Sequence, residues 1–335
     1  MSEEILLALP TLEADQKDLS VGEPHLIREN LTKFTDIFKL NLSLSDEDLT
    51  YPLPTGHPEL VKFLEDKYNQ PVIITTGAKN ALGAVFYALT KLGHSTLGLR
   101  SPYWALIPPL CKMHNLEPVY SDYDQLNDFD SYLLIAPNNP DGSMNGIDKA
   151  HQLYKDNNKP LIHDGAYYTP IYLGPDYDYK MIGDVQIYSG SKMLGLSGTR
   201  TGFLLCSDPQ LRHHIQDYIE NMTMGVSKIS QLYLLNILKD LGSDIKSFEL
   251  KCFNDLKKNK SIVKNIRKDI LEVPDNLEDI PGMFRWAKCN DFDAFKRAKL
   301  NVISGKPFGN EEYVRINLGF TNDVMEEIVD KLNKV

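Results

Sequence analysis

The segment "SGSKMLGLSGTRTG", residues 189–202, sets Lys192 among serines and glycines at the end of an apolar run, with Arg200 farther along. A lone lysine after a strand is ordinarily a solvated charge. Here Ser189 and Ser191 offer hydroxyl donors and Arg200 a fixed cation, while Gly190, Gly195, Gly198 and Gly202 permit tight turns and close backbone approach. An amine held near a cation, where water is restricted, loses its proton more readily than in bulk water. It then becomes a nucleophile suited to forming a Schiff base with a carbonyl.

Three further segments carry groups that could join it. "HDGAYY" (163–168) ends an apolar run and supplies Asp164 and Tyr167. These read equally as a capping aspartate with a packing tyrosine, or as a carboxylate and a phenol at a ligand edge. His163 alternates away from Asp164 and is expected in the packing. "APNNPDG" (136–142) has the composition of a turn, with Asn139 an available amide if a ligand needs one. Gly77-Ala78-Lys79 opens a helical stretch directly after "PVIITT", where free N–H groups and the helix dipole favour an anion. Many such junctions bind nothing. Together, though, the set holds amide and arginine donors for a phosphate, an aspartate for a ring nitrogen and an amine for an aldehyde. Those are the needs of pyridoxal 5'-phosphate.

Such groups must be positioned by regular elements. "PVIITTG" (71–77), "STLGLRSPY" (95–103), "SYLLIAP" (131–137), "KPLIHDG" (159–165), "DVQIYSG" (184–190) and "GFLLC" (202–206) read as strands, with helical patterns at 78–93 and 147–157. The alternation implies an α/β fold, a mostly parallel sheet sandwiched by helices that binds ligands at the carboxyl ends of its strands. From about residue 208 the pattern turns helical, including a long helix over 244–270. Strand-like "FRWAK" (284–288) and "EYVRINLGF" (312–320) follow, then a helix over 321–334. We expect a large domain over 45–240 and a smaller α+β domain from 241–335 together with the N-terminal arm, 1–44.

The 335 residues carry a formal net charge of −10, which argues against nucleic acid or an anionic membrane surface as the main partner. In the one basic run, "KKNKSIVKNIRK" (257–268), Val263 and Ile266 continue a helical spacing set by Phe253 and Leu256 and extended by Ile270. It reads as an amphipathic helix with a solvated basic face. Four scattered cysteines indicate neither a disulfide framework nor a metal site and fit a reducing, cytoplasmic compartment. The stretch "MSEEILLALPTLEADQ" is acidic, unlike a secretory signal, and no apolar run approaches membrane-spanning length.

With these residues in place, the sequence resembles the class I/II aminotransferases, within the aspartate aminotransferase superfamily of fold-type I pyridoxal-phosphate enzymes. The resemblance runs in order from about residue 18 to the C-terminus. "LSVGEPH" (19–25) is similar to the family's arm segment near the substrate, and "YPLPTGHPEL" (51–60) to its Tyr-x-x-x-x-Gly-x-x-x-Leu element. "TTGAKNAL", "SPYWAL", "PNNPDG", "DGAY", "SGSKMLGLSGTRTG" and "YVRINLGF" each resemble a further motif.

The resemblance implies that Lys192 holds the cofactor through a Schiff base and shuttles a proton between the substrate Cα and the cofactor's C4′. It implies that Asp164 pairs with the pyridine nitrogen, and that Tyr167 and Asn139 hydrogen-bond the phenolate oxygen. Ser189, Arg200 and the backbone of Gly77, Ala78 and Lys79 would grip the phosphate, and Tyr103 would stack on the ring. Tyr51 would reach the phosphate of a neighbouring subunit, which implies a homodimer with shared active sites. Arg315 would clamp the substrate's α-carboxylate, helped by Asn139 and the backbone near Gly22; a salt bridge to an acidic side chain is the other reading of a strand arginine.

Some positions depart from the pattern. Gly165 stands where the family usually has an acidic residue, and Lys79 either adds charge at the phosphate or points to solvent. Trp104 fills part of the substrate pocket or serves a core or interface. The length is close to that of the histidinol-phosphate aminotransferase branch, and no second arginine marks a dicarboxylate substrate. The activity implied is ping-pong transfer of an amino group from an amino acid to a 2-oxo acid. A carbon–sulfur lyase, cyclase or oxidase would use the same residues. A nucleotide-binding dehydrogenase does not fit, since no G-x-G-x-x-G follows the first strand.

Overall fold

The computed structural model describes residues 15–39, 44–123 and 129–335. The acidic stretch before residue 15, where the expected arm begins, lies outside them.

Seven strands form the central sheet: β1 (Val72–Thr75), β2 (Thr96–Leu99), β3 (Glu117–Tyr120), β4 (Ser131–Ile135), β5 (Leu161–Asp164), β6 (Val185–Ser189) and β7 (Gly202–Cys206). Their order across the sheet is β1-β7-β6-β5-β4-β2-β3. Neighbours from β6 through β3 run parallel, and β7 is antiparallel to both β1 and β6. Every residue of β1, β4, β5, β6 and β7 is buried. That explains their near-continuous apolar runs: helices cover both faces, so neither face is left to polar side chains. The expected mostly parallel sheet is present.

Alternation along the strands divides the core into two layers. Ile73, Leu133, Ile162, Ile187 and Leu204 pack beneath helix Gly77–Lys91, through Leu82, Val85 and Phe86. Ile74, Leu134, Leu161, Tyr188 and Leu205 face the opposite layer, with Leu234, Leu238, Phe248 and Leu256 of helices Lys228–Leu241 and Ile245–Val263.

A four-stranded antiparallel sheet is built around Phe284–Cys289 and Tyr313–Asn317, with Leu271–Glu272 and Ile303–Ser304 at its edges. Lys17–Asp18 pairs in parallel with Leu300–Asn301, which ties the described part of the arm to this region.

One strand was not foreseen, and two expectations need correction. Strand β3 carried no apolar signal, because its Glu-Pro-Val-Tyr sequence lies half-exposed at a sheet edge, the place where a proline is tolerated. The helix expected to run to residue 270 stops at Val263. Beyond it the Arg267 N–H is taken by Asn333 Oδ1, and Ile266 and Ile270 reach the core from turns instead. The basic face is only partly solvated, since Lys260 is buried, donates to the Ile280 carbonyl and has its pKa pushed down to about 8 by that burial.

The four cysteines are free, and three of them are buried. Among the described residues no helix is long and apolar enough to cross a membrane.

Candidate active site

The carboxyl ends of the parallel strands open on a cavity of about 310 Å³. Asp164 is the last residue of β5 and Ser189 the last of β6, both buried. Lys192 follows at once in the short helix Gly190–Leu194, and the chain returns through Arg200 into β7. Arg200 adopts a left-handed φ of 52°, and Gly77 across from it has φ of 76°. A Cβ on Gly77 would lie 2.8 Å from Arg200 Nη2. The guanidinium therefore rests on the first turn of helix Gly77–Lys91, and only glycine admits it there. Cation and helix N-terminus together form an anion cradle.

Lys192 Nζ donates to the carbonyl of Gly22. Burial pulls its pKa from 10.5 down to about 8; Glu23 opposes this, and Arg315 and Arg200 add to it. A neutral amine is thus within reach near physiological pH. Gly22 must be small, because a Cβ would stand 2.8 Å from the Phe284 ring and 3.3 Å from Lys192 Nζ.

Asp164 borders the same cavity. Burial raises its pKa from 3.8 to about 6, and the Ala166 N–H donating to Oδ1 at 3.1 Å offsets that only in part. A buried carboxylate with one donor gains most from a cationic N–H partner. Tyr167 lies alongside, its ring centroid 5.9 Å from Lys192 Nζ, its phenol held protonated by burial.

From the small sheet, Arg315 reaches in over Phe284, 4.3 Å from the ring centroid. Its Nη1 donates to Asn139 Oδ1 at 3.0 Å and its Nη2 to the Ser20 carbonyl. Nε is buried without a partner, and among the described residues no carboxylate pairs with the guanidinium. Burial draws its pKa down to about 10. The salt bridge considered from sequence is therefore absent among the described residues, and an orphan donor on a buried cation suits an incoming carboxylate.

Gly22, Ala78, Lys79, Asn139, Asp164, Tyr167, Ser189, Lys192, Arg200 and Arg315 all border the cavity. Tyr103 and Tyr51 do not. Tyr103 instead stacks on Tyr120 with ring centroids 5.2 Å apart, and the aromatic wall is Trp104. On the cavity wall the neighbouring Trp104 takes the place expected for Tyr103, because edge strand β3 supplies Tyr103 with a partner. Tyr51 is 79% exposed on the single chain. His163 is packed as expected, its ring nitrogen 2.7 Å from the Ala136 carbonyl and its pKa lowered to about 4 by burial.

Sequence reasoning missed Glu23, which borders the cavity and pairs with Arg28 at 2.5 Å, and Phe284, which read only as part of a strand. It also missed Ser197, whose buried Oγ lacks a partner among the described residues. Glu23 and Ser197 sat in quoted segments, the arm and the lysine motif; Phe284 gave no signal beyond its strand.

The family model for allinase matches residues 64–335. Among curated relatives, tryptophan aminotransferase-related protein 4 of Arabidopsis thaliana is 26% identical over 302 residues, covering 80% of this chain and 64% of that protein. An alliin lyase of Allium cepa var. aggregatum is 26% identical over 224 residues, covering 59% of this chain and 48% of that one. The chain spans about 64% of the length of the Arabidopsis relatives it matches. An aminotransferase from Staphylococcus aureus shares the fold at a TM-score of 0.76, 20% identical, covering 100% of this chain and 96% of that one. The Thermus thermophilus aspartate aminotransferase with maleate does so at 0.77, 15% identical, covering 96% and 91%. The cofactor of these families is pyridoxal 5'-phosphate, and the residues here fit it: an anion cradle, a buried carboxylate short of donors and a buried amine face one cavity. By the match over 64–335 and by its fold, this chain belongs to the allinase family, among the fold-type I pyridoxal-phosphate enzymes.

Proposed function

We propose that the protein is a pyridoxal-phosphate-dependent aminotransferase that moves an amino group from an amino acid to a 2-oxo acid in a ping-pong cycle. The observation that carries this reading is the convergence of Lys192, Asp164 and the orphan donor of Arg315 on one cavity. When bound, the cofactor supplies an electron-withdrawing ring that stabilises negative charge at the substrate's α-carbon. Asp164 holds a proton at the ring nitrogen, which suits a carboxylate buried with a single donor. Arg200, Ser189 and the N–H groups of Ala78 and Lys79, at the turn shaped by Gly77, bind the phosphate. Tyr167 and Asn139 orient the ring through its phenolate oxygen, and Trp104 covers its face. Arg315, steadied by Asn139 and the Ser20 carbonyl, grips the α-carboxylate with the backbone near Gly22 assisting. Lys192 Nζ takes up the proton from the substrate Cα, which its lowered pKa makes feasible.

In the same reading residues 45–240 form the large domain, and 1–44 with 241–335 the small one. Tyr51 completes the phosphate site of a second subunit, so the enzyme is a homodimer. Its exposure, shared with Leu49 and Leu53, supports a covered surface there. Four free cysteines support a reducing, cytoplasmic setting.

A second reading, elimination at the substrate's β-carbon, is favoured by the alliin lyase relatives. Incubation with single amino acids separates the two. Formation of 2-oxo acid only when an acceptor oxo acid is added supports transfer; ammonia release without acceptor supports elimination.

A further inference from the structure

Alternation along β6 sends Ser189 to the active-site cavity and Gln186 and Tyr188 to the other side of the sheet. There a second cavity, of about 400 Å³, lies between the sheet, the end of helix Pro58–Tyr68 and the start of helix Ile245–Val263. Its inner wall is aromatic. Tyr68 lies 5.1 Å from Tyr188 and Tyr168 5.3 Å from Tyr179, centroid to centroid. Thr169, only 4% exposed, belongs to the same wall, and its Oγ1 has no hydrogen-bond partner among the described residues. A buried hydroxyl left unpaired at the edge of a hollow is a group that a ligand would satisfy.

Opposite charges stand at the mouth. Lys67 comes from one helix and Glu249 from the other; each is the foremost charge acting on its counterpart, yet no ion pair or hydrogen bond joins them. Lys180 at the rim is already held by Asp148 at 2.5 Å, and Lys246, exposed like Lys67, acts on Glu249 less than Lys67 does. A cation and an anion held apart above a tyrosine-lined hollow are complementary to a molecule bearing both charges on groups attached to one carbon, with an apolar group below. We propose that this cavity is a second ligand site, for a zwitterionic α-amino acid with an aromatic or aliphatic side chain. The carboxylate faces Lys67, the ammonium faces Glu249, and the side chain lies among the tyrosines. The volume suits a small molecule of this kind.

The site does not depend on which reaction the enzyme performs. The test is equilibrium dialysis of the holoenzyme against α-methyl-L-phenylalanine, which lacks a Cα hydrogen and is not turned over, with cofactor absorbance reporting the active site separately. Bound ligand is expected to exceed what the absorbance change accounts for by one molecule per chain. Lys67→Met and Glu249→Gln, both at the mouth, are each expected to weaken that extra site at least about tenfold while leaving the absorbance titration unchanged. Failure of the active-site reading would appear as a missing absorbance change with the extra site intact. Binding fully accounted for by absorbance, or an extra site untouched by both substitutions, overturns the proposal.

Discussion

Arg315 Nη1 donates to Asn139 Oδ1 across 3.0 Å, so a strand of the small sheet is joined to the loop after β4 through one buried side-chain contact. The guanidinium keeps a free Nε and has no acidic partner among the described residues. It is preorganised for a carboxylate, with its orientation already fixed by Asn139 and the Ser20 carbonyl.

Replacing Arg315 by Ala is therefore expected to weaken amino-acid binding by about 3 kcal/mol, roughly 150-fold, the usual loss when one member of a buried charge pair is removed. Titration of the cofactor absorbance with substrate measures it. Affinity within a factor of two of the parent would show that the carboxylate binds elsewhere.

Trp104, not Tyr103, should govern how the cofactor is held from its face. Trp104→Ala is expected to lower cofactor affinity about tenfold through lost ring contact. Tyr103→Ala, which removes a partner of Tyr120 outside the cavity, should leave affinity near that of the parent. Dialysis of the two variants against graded cofactor separates them, and the reverse order would restore the assignment first made from sequence.

Asp164 gives a pH signature in the cofactor-free protein. Its carboxyl titrates near 6 when folded and near 3.8 in a free chain, so between these values the folded state binds more protons than the unfolded one. Stability from this group is then lost as pH rises from about 4 to about 6. Thermal unfolding over that range should show a steeper fall for the parent than for Asp164→Asn. Parallel curves would mean that the carboxylate is not buried as described.

Most of this site was legible because its residues stand immediately after strands whose apolar runs are hard to mistake. Asp164, Ser189 and Lys192 stand at the ends of β5 and β6, and each, ambiguous alone, gained its meaning from the others. Arg315 was visible as a charge inside a strand. What escaped depended on tertiary contact. The choice between Tyr103 and Trp104 rests on Tyr120 from an edge strand with no periodic signal, and Phe284 becomes part of the site only when the small sheet sets it against Arg315. The depth of Lys260 was hidden for the same reason, since the Ile280 carbonyl that receives it lies 20 residues away in sequence.

The central claim is that the Lys192 amine bonds to the cofactor aldehyde. Borohydride reduction of the holoenzyme followed by peptide mass mapping tests it most directly. A single pyridoxyl adduct on Lys192, absent from Lys192→Ala, is the expected result. An adduct on another lysine, or a parent protein that takes up none, would contradict the account.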